Sequence, residues 1–276
     1  MKKLLLFLSF IVSFVFSAQA QMAKDSLRSQ SFSLGVGSSH QLDTYLSPQN
    51  YDGVQITLMR ETLRMTRLAE RRISFQTLWQ GTFSHTSNAS NTTKDWGGMI
   101  AYDAFWHYNW TPTASLRLMA GAGVGGELGF LYNTHGGNNP AQGRLAIDLS
   151  ASAMAIYRFR LGQQPFALRY QAYMPVLGVM FSPQFGQSYY EIGQGKLNHN
   201  VCLSQPANAF SLWQQITLDV TLGKNVVLRT GYLCDIRQSH VNNIKVHNRS
   251  HSFLIGFVRY FRLIDKKQAI ASSLIL

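Results

Sequence analysis

One short run, His85-Thr86-Ser87-Asn88-Ala89, places an imidazole and a hydroxyl two residues apart. On a β-strand, residues i and i+2 point to the same face. A serine with a histidine in reach is the minimum arrangement for nucleophilic acyl transfer. His85 and Ser87 also continue the apolar series of Trp79 and Phe83, so both are expected on the outer face of whatever sheet they belong to. The bland reading of Ser87 to Lys94 is a polar loop boundary rich in Asn, Ser and Thr.

The run resembles the His-x-Ser-Asn segment of outer-membrane lipid A deacylases and phospholipases, over these five residues. That resemblance implies Ser87 as nucleophile, His85 as general base and a lipid ester as substrate. Those enzymes orient the histidine with an acidic or amide side chain on the next strand. Here Gly97 and Met99 occupy the expected positions, and Asp95 is the acid nearby. No oxyanion hole is identifiable in the sequence.

Other chemistry-bearing residues are sparse. His40, His85, His135, His199, His240, His247 and His251 fall in or beside expected loops, at spacings that define no metal site, and no cofactor motif is present. Cys202 and Cys234 are far apart, and export would permit a disulfide between them.

The elements that must hold these residues are strands. From Arg144 to Leu161, the positions Leu145, Ile147, Leu149, Ala151, Ala153, Ala155, Tyr157 and Phe159 share one face, while Asp148, Ser150, Ser152, Arg158 and Arg160 share the other. Leu116 to Tyr132 repeats the pattern with glycines on its polar face. A period of two over so many residues is a strand signal, and these strands are longer than the ~5–6 residues usual in soluble sheets. They are long enough to cross a bilayer when tilted. Ten such segments are expected between residues 31 and 262. Long connections near 41–51, 87–95, 134–143, 175–209 and 238–248 alternate with short ones near 66–71, 111–113, 161–164 and 223–225. Long outer loops, short periplasmic turns and an even strand count are the habit of outer-membrane barrels. The expectation is therefore an all-β antiparallel transmembrane β-barrel of about ten strands. Twelve is the alternative, if 175–209 hides a hairpin.

Composition agrees. Hydrophobic residues make up 46% and charged residues 14%, against about 25% charged in soluble domains, yet no later run reaches the ~20 apolar residues of a spanning helix. Lys2 and Lys3, a largely apolar run from Leu4 to Phe16 and Ala18-Gln19-Ala20 form an expected signal peptide, residues 1–20. Residues 21–30 then form a periplasmic lead-in and 263–276 a tail. Gln21, not Cys, follows the cleavage point, which argues against a lipid anchor. The formal charge of +12 suits an anionic partner. For an exported chain, outer-membrane lipid and lipopolysaccharide fit better than nucleic acid.

Aromatic residues form two expected girdles, with Trp106, Tyr108, Trp110, Tyr157, Phe159, Phe166 and Tyr260 at one end and Phe83, Trp96, Phe130, Tyr132 and Tyr232 at the other. The last strand ends Phe257-Val258-Arg259-Tyr260-Phe261, which resembles the signal read by the barrel assembly machinery. The inner face is expected to carry Asp103, Glu127, Asp148, Asp219 and Asp235 against Arg117, Arg144, Arg158, Arg169, Arg229 and Arg237. Buried charges must pair, so a salt-bridged, plugged interior leads over a narrow charge-lined channel.

Thr44-Tyr45-Leu46-Ser47-Pro48, Asn138-Asn139-Pro140-Ala141-Gln142, Met154-Ala155-Ile156-Tyr157 and the apolar stretch 175–191 carry a second resemblance. Together they look like an uncharacterised family of exported, barrel-like proteins of Bacteroides-type bacteria. It implies an outer-membrane address and brings no activity. The leading expectation is a non-catalytic surface or structural barrel whose outer loops contact ligands or partners, with 175–209 folding over the mouth. An outer-leaflet acyl hydrolase and a narrow substrate channel are the competing readings.

Overall fold

The computed structural model describes residues 28–137, 139–222 and 226–261. The expected signal peptide, the segment 21–27, most of the turn 223–225 region and the tail lie outside the described residues. Eleven strands follow one another: β1 (Arg28–Asp43), β2 (Ser47–Met65), β3 (Ile73–Asn88), β4 (Lys94–Trp110), β5 (Leu116–Asn133), β6 (Ala141–Leu161), β7 (Gln164–Phe181), β8 (Val201–Ser204), β9 (Ser211–Leu222), β10 (Val226–Val241) and β11 (Ile244–Phe261). A single α-helical turn, α1 (Tyr189–Gly193), precedes β8. No described helix is long and apolar enough to cross a membrane.

Each strand pairs with its chain neighbour in antiparallel register. β7 pairs with both β6 and β9, and β1 closes the ring on β11 from Arg28↔Phe261 to Asp43↔Val246. The result is a closed ten-stranded barrel, a form without open sheet edges. β8 is not one of its staves. It pairs only with the end of β7, over Gly178 to Phe181. The twelve-strand alternative is thereby excluded: 175–209 contributes the end of β7, a helical turn and a short flap.

The two faces follow the alternation. Val36, Ile56, Phe83, Ile100, Leu128, Ile147, Leu177 and Phe253 are exposed on the outside. Ser33, Thr57, Gln76, Gln80, Ser152, Gln171, Gln215 and Ser252 are buried inside. A polar interior under an apolar wall reverses the ordering of a soluble protein and fits a lipid-facing barrel. The interior is not polar throughout. Met59, Leu78, Phe105, Tyr173, Trp213, Leu233 and Leu254 form one buried cluster across the lumen. The inward glycines of β5 make room for it. A Cβ on Gly123 would run into the Phe105 ring and the β4 backbone. Gly123→Leu should therefore overpack the lumen at a cost of about 1–3 kcal/mol, read as a lowered urea midpoint for the barrel refolded in vesicles.

Three expectations need correction. The connections 41–51 and 238–248 are not long loops: only Thr44, Tyr45 and Leu46 separate β1 from β2, and β10 and β11 continue to a two-residue turn at Asn242 and Asn243, both at positive φ (53° and 61°). Asparagine tolerates that region, and two such residues make the tight turn of a twisted hairpin. Polar side chains there lie on strand faces beyond the apolar band. Tyr260 does not join the outer girdle. It faces inward, packed against Val227 and Val258, because it has the parity of the buried Val258. Finally, Cys202 and Cys234 are both free. Cys202 sits on β8 opposite Met180, whereas Cys234 is in the ladder of β10 opposite His251 and Gln214.

Candidate functional site

The outward series of β3 carries His85 and Ser87, both half-buried. Successive same-face residues on a strand are about 6.6 Å apart along it, so a catalytic hydrogen bond needs both side chains to lean together. They do not. The imidazole of His85 leans across to β4 and lies 4.1 Å from the ring centre of Trp96, tilted by 46°, and no hydrogen bond joins it to Ser87. Asp95 cannot orient it either. Asp95 is on the inner face, buried, and accepts a 2.7 Å bond from Asn133 Nδ2. It lies on the other side of the wall because β4 places Lys94 and Trp96, not Asp95, in the outward series.

The carboxylate nearest to this pair is one the sequence did not single out. Asp52 of β2 is in register with Ser87 on one side and His40 on the other. Its Oδ1 is 2.5 Å from His40 Nδ1. On β11, Arg249 is in register with His40, and His251, two residues on, bonds Tyr232 Oη through Nδ1 at 2.5 Å. The outer wall of β2, β1 and β11 therefore carries a polar, mainly basic patch near the end opposite the termini. The signal was the outward parity of His40, Asp52 and Arg249, legible only once register was known.

Ten of the eleven expected inner-face charges are buried or half-buried, Arg158 is exposed at the open end of the lumen, and the barrel brings most of the ten together across its interior. Glu61 of β2, which the sequence reading missed, is the hub. It is paired with Arg169 of β7 at 2.6 Å and Arg229 of β10 at 3.0 Å. Arg229 also forms a fork with Asp219, 2.7 and 2.8 Å. Gln76 and Gln171 exchange amide bonds across the same level, at 2.9 and 2.8 Å. Above this layer, Trp213 donates from Nε1 to Gln80 (2.8 Å) and Tyr173 donates to Asp103 (3.1 Å). Arg237 reaches Asp235 at 3.0 Å and also pairs with Glu127, while Ser150 donates to Asp148 at 2.7 Å. At the far end Arg144 spans to Asp43 at 3.1 Å. Arg117 and Arg158 have no ion pair among the described residues, a correction to the expectation that every inner charge is matched.

The connection between β7 and β9 straps the mouth. The Ser188 hydroxyl and Glu191 carboxylate cap the turn of α1 reciprocally. Tyr189 Oη accepts from Gly143 N of β6 at 2.6 Å, and its ring stands edge-on to Tyr45 at 6.0 Å. Tyr45 lies between β1 and β2, on the opposite side of a ten-stave ring from β6, so this contact crosses the opening. Tyr45 Oη donates to Gln187 O at 2.8 Å. Burial, then the neighbouring Tyr189, Asp43 and Glu191, push the Tyr45 hydroxyl up to about 12. Asn242 Nδ2 ties the β10–β11 turn to Ser182 O at 3.0 Å. Tyr189→Ala should release the strap. We expect faster amide exchange across 182–200 with unchanged protection at the β1–β11 seam, and equal protection in both variants would refute the strapping role.

A cavity of about 720 Å³ opens at the end of the barrel where β1 begins and β11 ends, lined by Arg117, Arg158, Arg160, Asp219, Arg229 and Tyr260 among others. A smaller one of about 110 Å³ lies beneath the strap, beside Asp103, Glu127, Asp148 and Arg237. The Trp213 and Glu61 layers lie between them.

A family model described as a protein of unknown function (DUF3316) matches residues 3–268. No curated protein sequence matches the chain. Among solved structures, the outer membrane protease OmpT from Escherichia coli is similar in fold, with a TM-score of 0.51 at 7% identity over 85% of this chain and 96% of that one. The transport unit of the autotransporter AIDA-I from Escherichia coli aligns with a TM-score of 0.49 at 8% identity over 92% and 97% of the two chains.

Proposed function

Because the chain belongs to the DUF3316 family of proteins of unknown function, we propose its role from its geometry: it is a sealed, non-catalytic barrel of the outer membrane that presents a strapped mouth and a basic flank to surface ligands. The observation that carries this reading is the doubly blocked lumen. The aromatic cluster around Trp213 and the ionic layer around Glu61 span the barrel between the two cavities. An outer-membrane address is supported by the apolar exterior and by the barrel fold shared with OmpT. In that setting the strap and long hairpins face outward and the termini face the periplasm. Export on the N-terminal segment and insertion by the assembly machinery, guided by the aromatic end of β11, belong to the same reading.

The flank formed by His40, Arg249 and His251 supports lipopolysaccharide as the lipid partner. The Arg249 guanidinium at headgroup level attracts anionic sugar phosphates, and the ring nitrogens of the two histidines add hydrogen-bonding capacity beside it. The hydrolase reading lacks support in the geometry, since Ser87 and His85 are not bonded to each other and no acid orients His85. Planar-bilayer recording tests the proposal. The purified chain should give no unitary conductance in 1 M salt, and regular open-channel steps would overturn the sealed reading. As a companion result, cells overproducing the chain or its Ser87→Ala variant should show the same lipid A acylation profile; a change seen only with the parent would restore the hydrolase.

A further inference from the structure

We propose that the large cavity at the terminal end of the barrel is a binding site for a phosphate-bearing ligand. Its charge is unbalanced. Arg169 and Arg229 are answered by Glu61 and Asp219, which leaves Arg117, Arg158 and Arg160 as surplus cations around one space. None of these three has a carboxylate within ion-pair range among the described residues. Arg117 makes only a 3.4 Å contact to the sulfur of Met65.

The backbone brings these cations together. Arg117 of β5 is in register with Ile156 of β6, so Arg158 is its diagonal neighbour on the inner face, about 7–8 Å away by sheet geometry. Across from Arg158 on β7 stands Ala167, and across from Ile156 stands Arg169. The small Ala167 opposite Arg158, and the uncharged Ile156 between Arg117 and Arg169, leave the guanidinium groups without an acid in register and free to converge on the cavity. The floor adds an unmet donor, because Nε of Arg169 is buried and bonds to nothing. Like charges held side by side repel in a partly desolvated space, and an anion relieves that repulsion.

The chemistry of the anion follows from the donors. Guanidinium forks match carboxylate and phosphate oxygens bidentately. A carboxylate brings one negative charge, whereas a phosphate monoester brings about −1.5 to −2 and three acceptor oxygens, closer to the three surplus cations. The volume of about 720 Å³ leaves room for more than the phosphoryl group. Met65, Ile156 and the rim ring Phe166 give that remainder an apolar wall. A soluble phosphate monoester and the monoester headgroup of phosphatidic acid share this chemistry.

The test uses the full mature chain folded in neutral detergent or in nanodiscs. One arm titrates glycerol 3-phosphate calorimetrically. The other counts phosphatidic acid retained, by native mass spectrometry, after release from mixed phosphatidylcholine nanodiscs. Saturable binding in the first arm identifies a soluble ester, and retention in the second alone identifies a headgroup. Either must weaken at least tenfold in Arg117→Gln/Arg158→Gln and stay unchanged in Arg60→Gln, whose exposed side chain on β2 is not part of the cavity lining. Each single variant, expected to lose several-fold, serves if the double variant does not fold. Absence of binding in both arms, or equal binding by the parent and the double variant, overturns the proposal.

Discussion

Glu61→Ala is expected to destabilise the folded barrel by about 3–5 kcal/mol, the cost of leaving a buried cation without its partner. Glu61 answers two guanidinium groups from opposite parts of the ring, Arg169 and Arg229, and accepts from Gln76 Nε2 at 2.9 Å. Asp219 can still serve Arg229 through its fork. Arg169 keeps only amide company from Gln171, so most of the penalty falls on it. Equilibrium urea unfolding from lipid vesicles reads the loss. The added variant Glu61→Leu/Arg169→Met should recover much of it, since removing both partners of a buried pair is far cheaper than removing one. A loss under about 1 kcal/mol for Glu61→Ala would show that the layer is hydrated and not sealed.

Trp213→Ala should have the second large effect, and it acts on two readouts. Trp213 is fully buried in mid-lumen, 4.9 Å from the ring of Tyr173 and bonded to Gln80. Truncating a buried tryptophan costs about 3–5 kcal/mol through lost contacts and the cavity left behind. The same change removes the broadest side chain of the upper seal. If the Glu61 layer is intact, conductance should remain absent in Trp213→Ala alone and appear in Trp213→Ala combined with Glu61→Ala. Conductance in the single variant would place the whole barrier at the aromatic layer. A closed double variant with normal stability would refute both layers as the seal.

The candidate sites show where sequence reasoning stops. The outward parity of His85 and Ser87 is legible, because period two is a property of the strand itself. Whether the imidazole turns to Ser87 or to Trp96 is not, because that depends on the rotamer and on which residue of β4 lies alongside. Asp95 illustrates the same limit. It shares the inward parity of Asp103 on β4, but that Asn133 holds it there is visible only in the folded barrel. The strap was legible as an apolar, aromatic segment with nowhere to hide. Its anchors, Tyr45 and Gly143, lie 142 and 46 residues from their strap partners Gln187 and Tyr189 and share no local pattern.

Sequence alone determined the class of this molecule. Long runs of alternating polarity, few charges and no spanning helix specify a barrel wall with its apolar face outward, and the alternation also picked out most of the inner charges, though not Glu61 or Asp43. Tertiary structure alone decided the partners. Glu61 meets Arg169 and Arg229, Arg144 meets Asp43, and Arg117 and Arg158 meet no acid, because closure of the ring fixes the stagger between staves and so the height at which each inward side chain arrives. Alternation is a one-strand property and can be read along the chain. Pairing across a lumen depends on the sum of every register shift around the barrel, and no single segment records it.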